Sequence, residues 1–295
     1  MSDLSCRCAI CEAALPATAM VRLAGAQLRA CLACGAWTYF PRPTQGRQSA
    51  IHDNGAYFGH PYFELRRGID HRLRRRCRWV FSRLATVVDV VGLRGKRLLD
   101  VGCDTGAFLA MAAEEFGVVP VGVDVAEMAV RAARSRGIEA WHGTLEEAPE
   151  SLMGLPVMTA IDLIEHVSEP ARFLREIFRR LEPGGAVYIE TPNIASAVYS
   201  AARVLSFVIR GRESALMERV FPAQHAQYFT EASLAGLGRR CGFEVAWVGT
   251  RVLPWPDIVA SAGVRAGMAV LQTLDRLARN CILICAVMRR PTVSR

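Results

Sequence analysis

No apolar run in this 295-residue chain is long enough to cross a bilayer; the stretch from Ile258 to Met288 is broken by Arg265, Asp275, Arg276 and Arg279. A membrane-spanning helix is thereby excluded. The opening residues, MSDLSCRCAICE, lack a basic region followed by an apolar one, so no secretory leader is expected and the expected compartment is the cytoplasm. That compartment keeps thiols reduced, so the ten cysteines are expected as metal ligands or core thiols rather than disulfides. The dinucleotide fingerprint G-x-G-x-x-G is also missing. Counted from Gly102, its middle glycine is Asp104, whose carboxylate would crowd and repel a pyrophosphate, which disfavours NAD. Little aromatic interleaving accompanies the arginines between Arg66 and Arg78, which weighs against nucleic acid as the partner.

What is present centres on LLDVGCDTGAF, Leu98 to Phe108. Leu98, Leu99 and Val101 suit a buried strand carrying one acid, Asp100. A glycine turn then leads into a helix, AFLAMAAEEF, that stops at Gly117. Such a strand, turn and helix let a ligand approach bare backbone over unpaired amides at the helix start. A sulfonium ligand such as S-adenosylmethionine has no phosphate and carries cationic groups, so carboxylates in the turn are tolerable or useful to it. Asp124 ends the next strand 22 residues after Gly102, where an acid accepts both ribose hydroxyl protons of a nucleoside. Val125 beside it is expected to pack on an adenine face.

Five cysteines fall in the first 34 residues. Cys8 and Cys11 form one C-x-x-C pair and Cys31 and Cys34 another, with 19 residues between. That is zinc-ribbon spacing: four thiolates closing a tetrahedral site that supports folding and leaves no open position. Cys6 is the alternative to Cys8. Residues 1–45 are accordingly expected as a structural zinc module. A linker or flap follows over 45–59, and residues 46–92 also hold a basic amphipathic helix, Leu65 to Val91. On that helix Leu65, Ile69, Leu73, Cys77, Val80, Leu84, Val87 and Val91 share one face. Arginines 66, 67, 72, 74, 75, 76 and 78 occupy the others. Their bland reading is a solvated face; the sharper one is a docking surface for RNA, a phosphorylated substrate or an acidic carrier protein, in keeping with a net charge of +8.

Strands and helices then alternate. Strands are expected at Val118–Val125, Ile138–His142, Val157–Ile161 and Ala186–Glu190, with helices from Glu127 and from Pro170, the latter capped by Ser168. Thr230 caps a further helix ending at Gly242, and Phe243–Val248 and Ile282–Met288 read as late strands. This is the order of an α/β, doubly wound Rossmann-like sheet, whose ligands bind beyond the C-terminal strand ends.

Asp100, Gly102, Asp104 and Gly106 resemble the first motif, D-x-G-x-G-x-G, of the class I S-adenosylmethionine-dependent methyltransferases, with Asp104 replacing the middle glycine. IDLIEHVSEP (Ile161 to Pro170), LEPGGAVYIETPN (Leu181 to Asn193) and HAQYFTEASLAGLGRRCGFEV (His225 to Val245) are similar to the branch containing the ubiquinone-biosynthesis O-methyltransferases. The resemblance covers residues 95–250. It implies an antiparallel last strand and a methyltransferase domain over 93–295, with insertions 195–221 and 254–280 forming a substrate lid. It further implies a cofactor site of Asp100, Gly102, Cys103, Asp104, Gly106, Asp124 and Val125, with Thr144 and Leu145 along the adenine edge and Asp162 and Leu163 by the methionine end. Methylators of exocyclic base amines typically carry N/D-P-P-Y where this chain has Asp162-Leu163-Ile164-Glu165. The expected activity is methyl transfer to a small-molecule hydroxyl, with His166 and His225 as candidate bases. Two rivals stand beside it: an RNA methyltransferase, and a non-catalytic zinc protein that binds an acidic partner.

Overall fold

The structure is a computed structural model that describes residues 7–23, 25–43, 70–208, 215–253 and 262–292. Cys6, the expected linker over 45–59, the helix start from Leu65 to Ile69, and parts of both insertions lie outside the described residues.

Three short strands open the chain: β1 (Val21–Leu23), β2 (Ala26–Ala30) and β3 (Trp37–Phe40), paired antiparallel in that order. Helix α1 (His71–Leu84) follows, capped by Asp70, whose side chain accepts the Arg72 and Leu73 amides. The helix buries Cys77, Val80, Phe81 and Leu84, as the spacing predicts, but it stops well before Val91. Thr86, Val87 and Val88 form a β-branched run with poor helix propensity, and Asp89 accepts the Val91 amide instead. Val91 itself is exposed in a 3₁₀ turn.

The main alternation runs β4 (Arg97–Val101), α2 (Ala107–Phe116), β5 (Val119–Asp124), α3 (Glu127–Ser135), β6 (Glu139–His142), β7 (Leu155–Ile161), α4 (Pro170–Arg180) and β8 (Leu181–Pro192). After it come α5 (Ala197–Val208), α6 (Ala215–Val220), the two-residue β9 (Gln227–Tyr228), α7 (Glu231–Arg240), β10 (Glu244–Arg251), α8 (Ala262–Leu277) and β11 (Leu283–Arg289). Seven strands form one sheet in the order β10-β11-β8-β7-β4-β5-β6. All neighbours from β8 to β6 are parallel, and β11, the last strand in sequence, runs antiparallel between β8 and β10. The chain reverses its direction of travel across the sheet between β4 and β7, which opens a ligand crevice at their C-terminal ends.

Side chains alternate across the sheet. Leu98, Val157, Tyr188 and Val287 face a core with α1, α2 and α3, while Leu99, Met158, Val187 and Met288 share a second core with α4 and α7. Two cap expectations separate here. Thr230 forms a full capping box with Ser233 at the start of α7. Ser168 does not cap α4: its hydroxyl donates to the Pro43 carbonyl at 3.1 Å, and the helix begins at Pro170, whose missing N–H needs no cap.

The N-terminal strands are built into the rest of the chain. β3 pairs antiparallel with β9, so the small sheet takes its fourth strand from beyond the main alternation. Val21, Leu28, Trp37 and Tyr39 pack in a third core with Val198, Tyr199, Met217 and Phe221 of the 195–221 segment.

Candidate active site and cysteine cluster

The β4–α2 turn is shaped by backbone conformations that few residues adopt. Gly102, Asp104 and Gly106 have φ of 73°, 46° and 74°. A Cβ at Gly106 would lie 2.6 Å from Ile138 Cδ1, so glycine is required there by space as well as by conformation. Asp104 is the family's departure at the middle glycine, and an aspartate is among the few side chains that tolerate the left-handed region. Its amide donates to Asp124 Oδ2 at 2.9 Å, while the Ala126 amide donates to Oδ1 at 2.9 Å. Asp124 is thus oriented by two backbone amides. Burial raises its pKa to about 6.

The sequence-predicted cofactor residues divide by what they can offer. Gly102, Asp104, Gly106, Asp124, Val125, Asp162 and Leu163 gather beyond the ends of β4, β5 and β7, with Leu163 across from Gly102, where a Cβ would sit 3.1 Å from Leu163 Cδ1. The Cys103 and Leu145 side chains are buried in the two cores and offer nothing to a ligand. Thr144 is engaged locally: its amide and hydroxyl both donate to Glu147 Oε2, at 2.8 and 3.0 Å. Asp100 lies beneath the turn in β4, accepting from Thr159 Oγ1 at 2.7 Å, and burial raises its pKa to about 8.

Asp162 follows β7 with φ 54°, and its carboxylate accepts from Arg76 Nη2 at 2.7 Å. The same guanidinium reaches Glu190 Oε1 at 2.5 Å, and Glu190 also accepts from Arg251 Nη2 at 3.1 Å and from Tyr188 OH at 2.7 Å. Glu190 is fully buried. Burial alone would raise its pKa, but Arg76 and Arg251 outweigh that and hold it below the ordinary carboxylate value. Here the structure departs from the solvated-face reading of α1 at one arginine, while Arg75 and Arg78 remain exposed. Arg76 turns inward to the site, and Arg74 and Arg78 pair with Glu115 of α2. Sequence reasoning missed this network, although a glutamate inside the apolar run AVYIE implies a buried cation to match it.

Two histidines meet on segments further along the chain. His166 sits in a 3₁₀ turn after β7 and His225 just before β9; their ring centroids are 4.7 Å apart and nearly perpendicular. His166 Nδ1 is 3.0 Å from the Gln224 carbonyl. Glu165 is buried, accepts from Thr191 Oγ1 at 2.8 Å, and has a donor atom within 4.8 Å of both histidines. Fifty-eight residues separate His166 from Gln224, so the turn and β9 create this pair by packing.

The four cysteines converge as their spacing predicts. Cys8 Sγ is 3.7 Å from Cys34 Sγ and Cys11 Sγ is 3.4 Å from Cys31 Sγ, with all four sulfurs within 4.8 Å of one another. A tetrahedral ion with bonds of about 2.3 Å to sulfur needs sulfurs roughly 3.8 Å apart, so the set fits zinc. The two turns share one hydrogen-bond pattern: Glu12 N to Cys8 O matches Gly35 N to Cys31 O, and Cys8 N to Ala13 O matches Cys31 N to Ala36 O. Glu12 and Gly35 both have positive φ. The hydrogen bond between the Cys8 and Cys34 thiols holds the Cys8 pKa below the ordinary thiol value and pushes that of Cys34 above it.

A family model described as a methyltransferase domain matches residues 69–247, more than half of the chain. The chain is 30% identical over 181 residues to the ubiquinone biosynthesis O-methyltransferase of Thiobacillus denitrificans, covering 57% of this chain and 70% of that protein. It is 29% identical over 171 residues to the enzyme of the same name from Pseudomonas aeruginosa, covering 54% and 70%. Among solved structures, magnesium protoporphyrin IX methyltransferase from Synechocystis with bound S-adenosylhomocysteine shares the fold, with a TM-score of 0.53, 16% identity and coverage of 82% of this chain and 99% of that one. A chain of a Haloferax volcanii complex between a methyltransferase activator and a methyltransferase aligns with a TM-score of 0.55 and 17% identity, over 84% and 100% of the two chains. With its first motif, strand order and reversed last strand, the chain belongs to the class I S-adenosylmethionine-dependent methyltransferases.

Proposed function

We propose that this methyltransferase acts on a hydroxyl oxygen of a small molecule, with the His166–His225 pair receiving the hydroxyl proton. The observation that carries this reading is the pair itself, 4.7 Å apart beyond the strand ends. The names of the ubiquinone-branch relatives support oxygen as the acceptor. The cofactor fits the residues present: an amide-oriented carboxylate at Asp124 for the ribose hydroxyls, Val125 for the adenine face, and a turn at Gly102 that leaves no side chain in the way.

When bound, S-adenosylmethionine supplies an electrophilic methyl group on a sulfonium sulfur. The chain's own work is alignment and proton removal. Holding nucleophile and methyl carbon in line supplies about 7–11 kcal/mol for well-oriented reactants. An imidazole that takes the proton as the C–O bond forms adds roughly a hundred- to ten-thousand-fold. Segment 195–221 leads from the end of β8 to His225, and with 254–280 it is the part we assign to substrate selection. Two hydrogen bonds that join the segments support this assignment: the Ala197 amide donates to Asp275 Oδ1 at 2.7 Å, and Asn280 Nδ2 donates to the Ala195 carbonyl at 2.6 Å. Single-turnover methyl transfer from labelled cofactor to a fractionated small-molecule extract tests the reading. His166→Ala or His225→Ala should slow it about a hundredfold or more with cofactor affinity kept; full rates in both variants would remove the base.

One observation favours a second role for the same side chains. Glu165, His166 and His225 offer a carboxylate and two imidazoles within 4.8 Å, a donor set suited to a divalent cation that would acidify the acceptor hydroxyl. Brief EDTA treatment that leaves cysteine-bound zinc in place distinguishes the two. A rate lost and then restored by added Mg²⁺ or Zn²⁺ supports the cation; an unchanged rate supports the bare histidine base.

A further inference from the structure

The four-cysteine cluster lies outside the methyl-transfer chemistry, yet its second turn is directly connected to the histidine pair. Cys31 follows the last residue of β2, and Cys34 stands three residues before Trp37, so this turn is the β2–β3 connection. Ligation at Cys31 and Cys34 would therefore fix where β3 begins. β3 in turn holds β9, with Trp37 opposite Tyr228 and Thr38 opposite Gln227. The Tyr39 amide donates to the Ala226 carbonyl at 3.0 Å, and its hydroxyl donates to the Phe221 carbonyl at 2.6 Å. Tyr39 thus grips residues on both sides of His225. A two-residue strand has few bonds of its own, and segments of that kind open locally at low free energy unless neighbours restrain them.

The opposite side of the same segment meets the His166 turn. The Ala226 amide donates to the Glu165 carbonyl at 2.7 Å, and Gln227 Nε2 donates to the Ile164 and Val167 carbonyls at 2.8 and 2.6 Å. Residues 225–228 are therefore clamped between β3 and the turn that bears His166. The cofactor carboxylate is held differently, by the Asp104 and Ala126 amides of its own α/β unit.

We propose that the four-cysteine sheet is a positioning element for methyl transfer: metal bound by Cys8, Cys11, Cys31 and Cys34 holds β3, and β3 holds His225 against His166. Trp37, Thr38 and Tyr39 are its positioning residues. Loss of the metal releases β9 and slows transfer while cofactor binding persists. The proposal rests on the reading of His225 as a participant in transfer.

The test uses the full chain, stripped of zinc anaerobically by titration with an organomercurial and compared with the zinc-loaded protein. Three quantities are read: amide hydrogen exchange in residues 222–229, S-adenosylhomocysteine affinity by calorimetry, and the single-turnover rate. Zinc loss is expected to raise exchange at Ala226 to Tyr228 and to lower the rate by about tenfold or more, with affinity changed less than about twofold. Exchange or rate that does not respond to zinc loss overturns the proposal. Tyr39→Phe keeps all four cysteines and covers the case in which the stripped chain unfolds. It should retain zinc and cofactor binding, loosen the same amides, and slow transfer by roughly two- to tenfold, the worth of one hydrogen bond. Wild-type exchange and rate in Tyr39→Phe would overturn the coupling. A full rate in His225→Ala would overturn the proposal through the base reading it rests on, whereas a slowed His225→Ala with exchange unmoved by zinc loss would overturn the coupling alone.

Discussion

The two halves of the crevice are built in different ways. The half proposed to hold the cofactor is contiguous: β4, the glycine turn, α2, β5 and the Asp124 carboxylate come from one βαβ unit, and the bonds to that carboxylate come from within it or from just after it. The half proposed to hold the acceptor is assembled from afar. β3, the Glu165–His166 turn, Thr191 of β8 and residues 221–228 meet only because the sheet brings them together. The first half is positioned by local backbone geometry, the second by packing, so disturbances should reach them by separate routes.

The harshest way to break this division is to attack the buried ion network behind both halves. Glu190→Ala leaves Arg76 and Arg251 facing an empty buried site, and the unfolding free energy measured in urea should fall by about 3–5 kcal/mol. A change within about 0.5 kcal/mol would mean that the network contributes nothing net to stability. Next in size is Asp124→Ala, which removes the acceptor of two amides and the proposed acceptor of the ribose hydroxyls. Cofactor affinity by calorimetry should drop about a hundredfold, as expected for charged hydrogen-bond partners, while exchange in residues 222–229 stays as in the parent.

Acid probes the same carboxylate more gently. The Asp124 pKa is raised from 3.8 to about 6 by burial, so its protonated form favours the folded state. Its contribution to stability is present below pH 3.8 and is lost as pH rises through about 6. Cofactor binding through this carboxylate, as proposed, would have the opposite sign: affinity should fall towards tenfold per pH unit below about 6. In Asp124→Asn that dependence should vanish. The smallest effect expected is Asp104→Gly, which relieves a left-handed backbone and should stabilise the fold by about 0.5–1 kcal/mol. Destabilisation would instead show that the Asp104 side chain contributes more than its backbone costs.

Much of the cofactor half was legible because strand, turn and helix each leave a local mark. Apolar runs marked β4 and β5, glycines marked the turn, and the acid expected for the ribose stands at the end of β5. The cysteine pairs were legible for the same reason, since each C-x-x-C closes over four residues. The helix α1 pattern misled in two respects. Its apolar period continued past Leu84 into a β-branched run that does not stay helical, and nothing in an arginine-rich stretch distinguishes Arg76, which pairs with Glu190 and Asp162, from its neighbours.

By itself, the sequence marked the strands and helices, the glycine turn and the two C-x-x-C pairs, because each leaves its pattern among residues close along the chain. Only tertiary structure decided that Arg76 faces inward, that His166 and His225 meet, and that β9 completes the cysteine-bearing sheet. Those contacts join segments dozens to nearly two hundred residues apart. Such closures are fixed by the shape of the assembled core, and no local pattern of polarity or turn chemistry records them.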